Sequence, residues 1–337
     1  IVFSMNIYGT FANQNFLPQL LALITSFHEK TKVSRLAIFA LDDQTHKVIE
    51  ELGFDRVDLL RLQDLEVFHP ELLIAKSNRT QSEYFFTLTS AIPSFLMGNY
   101  PSCNFAVYLD ADLFLFADPD FILDSAESKI NVVLTPHNFA KKDLNLLIYG
   151  EFNTGFIAFR NNSPSADAAK WWLQSCLNWC RDKVEDGKYA DQKYLENFSA
   201  IIDGVMNCNE FGLNLGPWGL NNVTTISNNA REWKVNNQKL YAFHFSGVKW
   251  NRWGVILGAW PYKHRINITL YNGVYRPYLC EIIKWDRYIS TQVTPTSVGK
   301  SLKSLRNTRK VTLSVIFRAV LTNDIRSWRG VTYDSNK

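Results

Sequence analysis

The chain has 337 residues and a mass of 38.8 kDa, enough for one large domain or two ordinary ones around a substantial core. Apolar residues make up 46% and charged residues 20%, with 16 Gly and 11 Pro, which excludes collagen-like and disordered chains. The net charge of +4 is uneven, because residues 286–337 hold ten Lys/Arg against three Asp.

In chain order, IVFSMNI predicts a strand and LLALITSF a helix; RLAIFALDD predicts a second strand ending in acids, and THKVIEELG a helix closed by Gly53. Successive strand–helix units predict an α/β fold with a mostly parallel sheet, whose ligands bind beyond the C-terminal strand ends. The segment EYFFTLTSAI reads as a helix preceded by Lys76 and Arg79. No run of about 18 apolar residues occurs and the start carries no basic leader, so neither a membrane span nor a signal peptide is expected. Five Cys, odd in number and irregular in spacing, predict reduced thiols in a cytoplasmic compartment. Cys176 and Cys180, among Trp171, Trp172 and Trp179, read as small core residues.

Residues 105–109, FAVYL, read as a buried strand running into Asp110-Ala-Asp112 and then Asp118-Pro-Asp120. Carboxylates two residues apart at a bend can share a Mg²⁺ or Mn²⁺ ion whose remaining ligands are substrate phosphates. A Ca²⁺ loop is excluded, since it needs an acidic or amide residue at 114 and Gly at 115, where Phe114 and Leu115 stand. An acidic surface turn is the plain alternative. Asn153-Thr-Gly155 reads as a turn feeding the strand FIAFR, and Asp191-Gln192 as the start of the helix-like DQKYLENF, where Asp191 serves either as a cap or in a site. His244, ahead of Gly247 and Lys249, offers a third metal ligand with a phosphate-binding charge behind it, or is a buried core histidine.

In this order and at these separations, YLDAD (108–112), FNTGFIAFR (152–160), DGKYADQKYL (186–195), GLNLGPWGLNN (212–222) and HFSGVKW (244–250) resemble a nucleotide-sugar glycosyltransferase of the GT-A type. The last motif is similar to the His-x-x-Gly-x-Lys segment of the glycogenin and lipopolysaccharide-galactosyltransferase group. With EYFFTLTSAIPSFL at 83–96, the chain also looks like a bacterial group of polysaccharide glycosyltransferases. The resemblance implies a Rossmann-like GT-A catalytic domain at 1–285, a basic, partly amphipathic tail at 286–337, and a D-x-D metal motif at Asp110 and Asp112. Asp110, Asp112 and His244 would bind Mn²⁺ or Mg²⁺, with Asp110 also near the ribose. Gly247 and Lys249 would contact the pyrophosphate, and Asn153 to Gly155 would line the sugar and acceptor side. Asp191 and Gln192 would face the sugar hydroxyls or the anomeric carbon, Asn214 to Trp218 would wall the donor pocket, and Lys76 and Arg79 would reach a phosphate or an acid of the motif. The segment departs from the related G-x-x-K-P-W pattern: the Pro is missing and Lys249 comes one position early.

The implied activity is hexose transfer from a UDP-linked donor, with retention, to a glycan or lipid-linked acceptor in surface polysaccharide synthesis. The rival classes are a metal-dependent phosphohydrolase or nucleotidyltransferase and a non-catalytic carbohydrate-binding protein. The basic segment, with Val298, Leu302, Leu305, Val311, Val315 and Leu321 spaced among Lys and Arg, suits a helix on an anionic membrane at its inner face, or a solvated terminal helix. It carries no recognised nucleic-acid-reading motif, so no nucleic acid partner is expected.

Overall fold

The structure, a computed structural model, describes residues 5–229, 232–251, 254–292 and 324–327. Four strands, β1 (Ile7–Ala12), β2 (Arg35–Ala40), β3 (Val57–Arg61) and β4 (Phe105–Leu109), run parallel. After a short β5 (Leu113–Leu115) come β6 (Val132–Pro136), β7 (Phe152–Arg160) and β8 (Val205–Asn207). The central sheet has the order β3-β2-β1-β4-β7-β6-β8, with β7 antiparallel to both of its neighbours and β6 parallel to β8. The expected α/β class with a mostly parallel, helix-flanked sheet is thus present.

Each element follows from local chemistry. Asp42 caps the helix Asp43–Leu52 by accepting from the Thr45 amide at 2.7 Å, and Gly53 ends it at φ 57°, as the sequence predicts. Thr80 and Glu83 form a capping box at the start of the helix Gln81–Asn99. That helix packs on β1 at Gly9, where a Cβ would collide with Ile92 and Leu96. Of the expected strand IVFSMNI, residues 1–4 lie outside the described residues, and β1 takes in Ile7 and runs on to Ala12. Asn6 is instead occupied by side-chain bonds to Asp120 and the Phe105 amide.

The helix Leu17–Lys30 covers one face of the sheet, packing against Tyr8, Ile38 and Val107; the helices Gln81–Asn99 and Ser163–Asn178 cover the other, against Phe39, Tyr108 and Phe159. Cys176 and Cys180 are fully buried in the second layer. The Asp118-Pro-Asp120 acids are structural: Asp120 accepts from Asn6 Nδ2, Tyr8 Oη and Ser34 Oγ at 2.7–2.8 Å.

Beyond β8, a small sheet of β9 (Ile226–Asn229), β10 (Glu232–Val235) and β11 (Gln238–Lys239) precedes β12 (Ala242–His244), which pairs with β5. A last sheet joins β13 (Lys249–Asn251), β14 (Gly254–Ile256) and β15 (Ile325–Ser327). The helix Arg276–Gln292 runs through the boundary expected at residue 285, because Trp285 anchors it to the helix Leu17–Lys30 by donating to Thr25 Oγ1 at 3.1 Å. The amphipathic segment expected over residues 298–321 lies outside the described residues. Among those residues no helix is long and apolar enough to cross a membrane.

Candidate functional site

From β1 the chain moves outward to β2 and β3, then returns to β4 on the other side of β1. Such a reversal opens a crevice at the C-terminal strand ends. A cavity of about 1000 Å³ occupies that position, lined by Asn13, Gln14 and Asn15 after β1, Leu41 after β2, and Asp110 and Asp112 after β4.

The bend after β4 is held by backbone bonds: the Asp110 amide donates to the Gly155 carbonyl of β7 at 3.0 Å, and the Leu113 amide to the Asp110 carbonyl at 3.1 Å. Asp112 then leads directly into β5. Pairing of β5 with β12 sets His244 opposite Leu113, and the Phe245 amide donates to the Asp112 carbonyl at 2.9 Å. Residues more than 130 positions apart in sequence thereby meet. His244 Nε2 lies 3.0 Å from Asp112 Oδ1 and 3.5 Å from Asp110 Oδ2. Tyr108 Oη donates to the other Asp110 oxygen at 2.7 Å.

The donor set fits a divalent cation. Two carboxylate oxygens and one imidazole nitrogen lie within 4.8 Å of one another, the hard and borderline ligands that Mg²⁺ and Mn²⁺ take. Without a cation, a proton stabilises the cluster: burial alone would lower the His244 pKa, but the Asp112 carboxylate, with Asp110, raises it above the ordinary histidine value. Enclosure raises Asp110 above the usual carboxylate range, opposed by His244.

Asp191 lines the same cavity, 2% exposed, with its carboxyl pushed up to about 7 by burial and by the charge of Asp110. It makes no capping bond; the segment it opens is a 3₁₀ helix, Gln192–Asn197. The hydroxyls of Thr89 and Thr154 oppose that rise, and Trp172 Nε1 donates to the Asp191 carbonyl at 2.9 Å. Gln192 also lines the cavity and donates to the Tyr149 carbonyl at 2.8 Å.

Asn153 and Trp218 line the cavity as well. Asn153 to Gly155 belong to β7 rather than to a turn, opposite a register shift between Leu134 and Thr135 that turns Asn153 inward. Gly155 and Asn214 stand behind the lining: Gly155 leaves room for the His244 ring, and Asn214 accepts from His244 Nδ1 at 3.3 Å. Gly247 and Lys249 are exposed and outside the lining, although their neighbours Ser246 and Trp250 belong to it. Lys76 and Arg79 also lie away from the cavity. Lys76 pairs with Glu66 at 2.6 Å, and Arg79 donates to Thr87 and to the Leu177 carbonyl, tying two helices together.

The cavity contains groups that motif reading missed. His137, Tyr149 and Tyr189 line it, and so do Asp286 and Ser290 from the helix Arg276–Gln292. The Pro-His pair at the end of the apolar run VVLTPH was a readable signal for His137, since a polar residue there falls at a strand end.

No protein-family model matches the chain. Two uncharacterised proteins of Bacillus subtilis (strain 168) are similar to it: YfnF, 29% identical over 250 residues, covering 72% of this chain and 81% of that protein, and YfnD, 26% identical over 281 residues, covering 82% and 89%. Among solved structures, mouse xyloside xylosyltransferase 1 is similar with a TM-score of 0.46 at 10% identity, covering 72% of this chain and 98% of that one. The galactosyltransferase LgtC is similar with a TM-score of 0.45 at 15% identity (72% and 87%), and the bifunctional glycosyltransferase WbbM with 0.49 at 13% (90% and 52%).

Proposed function

We propose that the chain is a divalent-metal-dependent glycosyltransferase of the GT-A type, moving a sugar from a nucleoside diphosphate to a carbohydrate acceptor. The observation that carries this reading is the convergence of Asp110, Asp112 and His244 with Asp191 on one cavity at the switch point of the sheet. Four carboxylates, those of Asp110, Asp112, Asp191 and Asp286, line the cavity, and among the described residues no Lys or Arg does. A diphosphate cannot approach such a wall without a counter-cation. The cavity continues past the triad to Tyr149, Tyr189 and Trp218, far more room than a phosphate monoester needs.

A cation held by the triad would neutralise the leaving diphosphate as its bond to the anomeric carbon breaks. We assign the nucleoside to Asn13 to Asn15 and the sugar to Asn153, Thr154 and Gln192, all of which line the cavity. We read the donor as a UDP-hexose, the ion as Mn²⁺, and the acceptor as a glycan or lipid-linked glycan of a surface polysaccharide, with residues 286–337 as an attachment to the inner membrane face. The likeness of HFSGVKW to the His-x-x-Gly group supports retention. The buried Asp191 carboxyl, pushed up to about 7, favours a second reading, inversion with Asp191 taking the acceptor's proton.

Calorimetric titration of UDP, GDP and CMP, with and without Mn²⁺, into the wild type and Asp112→Ala tests the donor site. Mn²⁺-dependent binding of UDP that the variant loses is the expected result, and no binding of any nucleotide would sink the transferase reading. The anomer of the first-formed product, read by proton NMR, decides between the two stereochemical courses.

A further inference from the structure

Four side chains, those of His244 in the triad and of Asn214, Asn153 and His137 beyond it, are each more than nine-tenths buried and bonded in series. The sense of every link is set by groups that can act in only one way. The Gly155 amide can only donate, and it donates to Asn153 Oδ1 at 2.9 Å. Asn153 Nδ2 is thereby turned to His137 Nε2 at 3.4 Å, which must accept; the other His137 nitrogen donates to the Glu151 carbonyl at 3.1 Å. Burial keeps His137 neutral, with a pKa lowered to about 4, so Nε2 remains an acceptor at neutral pH. Asn214 Nδ2 donates to Asn153 Oδ1 and to Thr135 Oγ1, both at 2.9 Å, while the Thr135 proton goes to the Phe156 carbonyl. Only the amide oxygen of Asn214 is left to face His244 Nδ1. An amide oxygen accepts and cannot donate, so Nδ1 carries the proton and the lone pair of the neutral ring sits on Nε2.

We propose that Asn214, backed by Asn153 and His137, is a positioning residue that holds the His244 proton on Nδ1 and aims the Nε2 lone pair between Asp110 and Asp112. Its consequence for metal binding rests on the function proposed above; its geometry does not. Trp218 adds an aromatic brace, its ring edge-on between His137 at 5.2 Å and His244 at 5.0 Å. Outer-shell partners of this kind typically change metal affinity by about 10- to 100-fold.

The test uses the full chain labelled with ¹⁵N-histidine, with the His244 signal assigned from the His244→Ala spectrum, and Mn²⁺ alone titrated by electron paramagnetic resonance. In the metal-free wild type, read at a pH above the His244 titration where the ring is neutral, a slowly exchanging Nδ1–H signal of His244 is expected, and Asn214→Leu should lose it at that pH and bind Mn²⁺ about 10- to 100-fold more weakly. His137→Leu, which removes the acceptor for Asn153, should weaken Mn²⁺ several-fold, and His137→Gln, which restores an acceptor, should recover most of it. This pair also covers the case in which Asn214→Leu does not fold. An Asn214→Leu protein that keeps the Nδ1–H signal, or binds Mn²⁺ like the wild type, overturns the proposal, as does equal Mn²⁺ binding by His137→Leu and the wild type. A wild type that binds no Mn²⁺ but shows an Asn214-dependent Nδ1–H signal supports the positioning role and removes the metal-dependent reading instead.

Discussion

Gly155 shows how much of the site depends on one missing carbon. A Cβ built there would fall inside van der Waals contact of the His244 ring and of Asn153 Oδ1. The strand cannot retreat, because β7 is paired on both edges, to β4 and to β6. Gly155→Ala should therefore push His244 away from Asp112, lower Mn²⁺ affinity at least about tenfold, the scale of other outer-shell changes at metal ligands, and cost stability through overpacking of about 1–3 kcal/mol. Titration calorimetry and a thermal melt check both, and unchanged Mn²⁺ binding would show that His244 is not a ligand. At this scale the sequence was informative where an apolar run ends abruptly in charge: Asp110 and Asp112 stand out because a buried strand precedes them. His244 needed the resemblance, since a histidine among aromatics looks the same whether it ligates or packs. Asn214 was legible as a residue of the site but not in its role, because a side chain behind the wall and one on it have the same one-dimensional signature. Lys249 illustrates the converse: its charge suggested a phosphate contact, while strand β13 leaves it exposed and outside the lining.

Two elements bring the site together, and they differ in how readable they are. The run from β4 into β5 was visible, but the pairing of β5 with β12 is a contact between short, distant strands and leaves no periodic trace. The Asp191 segment was expected as a helix and is a 3₁₀ turn, entered through left-handed residues at Asp186, Gly187 and Ala190. Asp186-Gly187 advertises that conformation in sequence as a two-residue turn closed by Glu185 and Lys188; Ala190 does not, and the segment there is held by anchors from outside it, among them the Arg181 carbonyl, which accepts from the Ala190 amide at 3.0 Å. Trp172 is one of these anchors, reaching from the helix Ser163–Asn178 to the Asp191 carbonyl. Trp172→Phe keeps most of the apolar volume and deletes that donor, leaving a buried carbonyl without its partner. A stability loss of about 1–3 kcal/mol is expected, together with a fall in turnover larger than the change in donor binding, because Asp191 loses its placement while the metal triad does not. Chemical denaturation and steady-state kinetics measure the two effects separately; wild-type turnover would mean that the turn is fixed without Trp172.

Across the whole molecule, buried ionisable groups act on stability in opposite directions. His28, His69, His137 and His264 are held below the ordinary histidine value, chiefly by burial. They disfavour the folded state as pH falls below about 6.5, since the unfolded chain then binds more protons. Asp118, raised to about 6, and Asp191, raised to about 7, do the reverse. Between the unfolded carboxyl value near 4 and these raised values the folded protein binds more protons than the unfolded chain, so their contribution to stability falls as pH rises. The two sets overlap between about pH 4 and 7, and a wild-type stability curve alone does not separate them. The difference between the wild type and Asp191→Asn does, because Asn fills the same space without titrating. For the metal-free protein that difference should be near zero at pH 4, grow as pH rises, and level off above about pH 7, with the variant more stable by up to about 4 kcal/mol at about 1.4 kcal/mol per unit. Asp118→Asn should follow the same course with a plateau above pH 6 and, being half-buried, a smaller gain of about 1 kcal/mol. A carboxyl that destabilises the fold at neutral pH, in the cavity lined by Asp110, Asp112 and His244, supports the role proposed for Asp191 in the reaction. Asp191→Asn should therefore be the more stable protein above pH 7 and the poorer enzyme. Equal stability at every pH would show that Asp191 is an ordinary ionised carboxylate, and it would take the second stereochemical reading down with it.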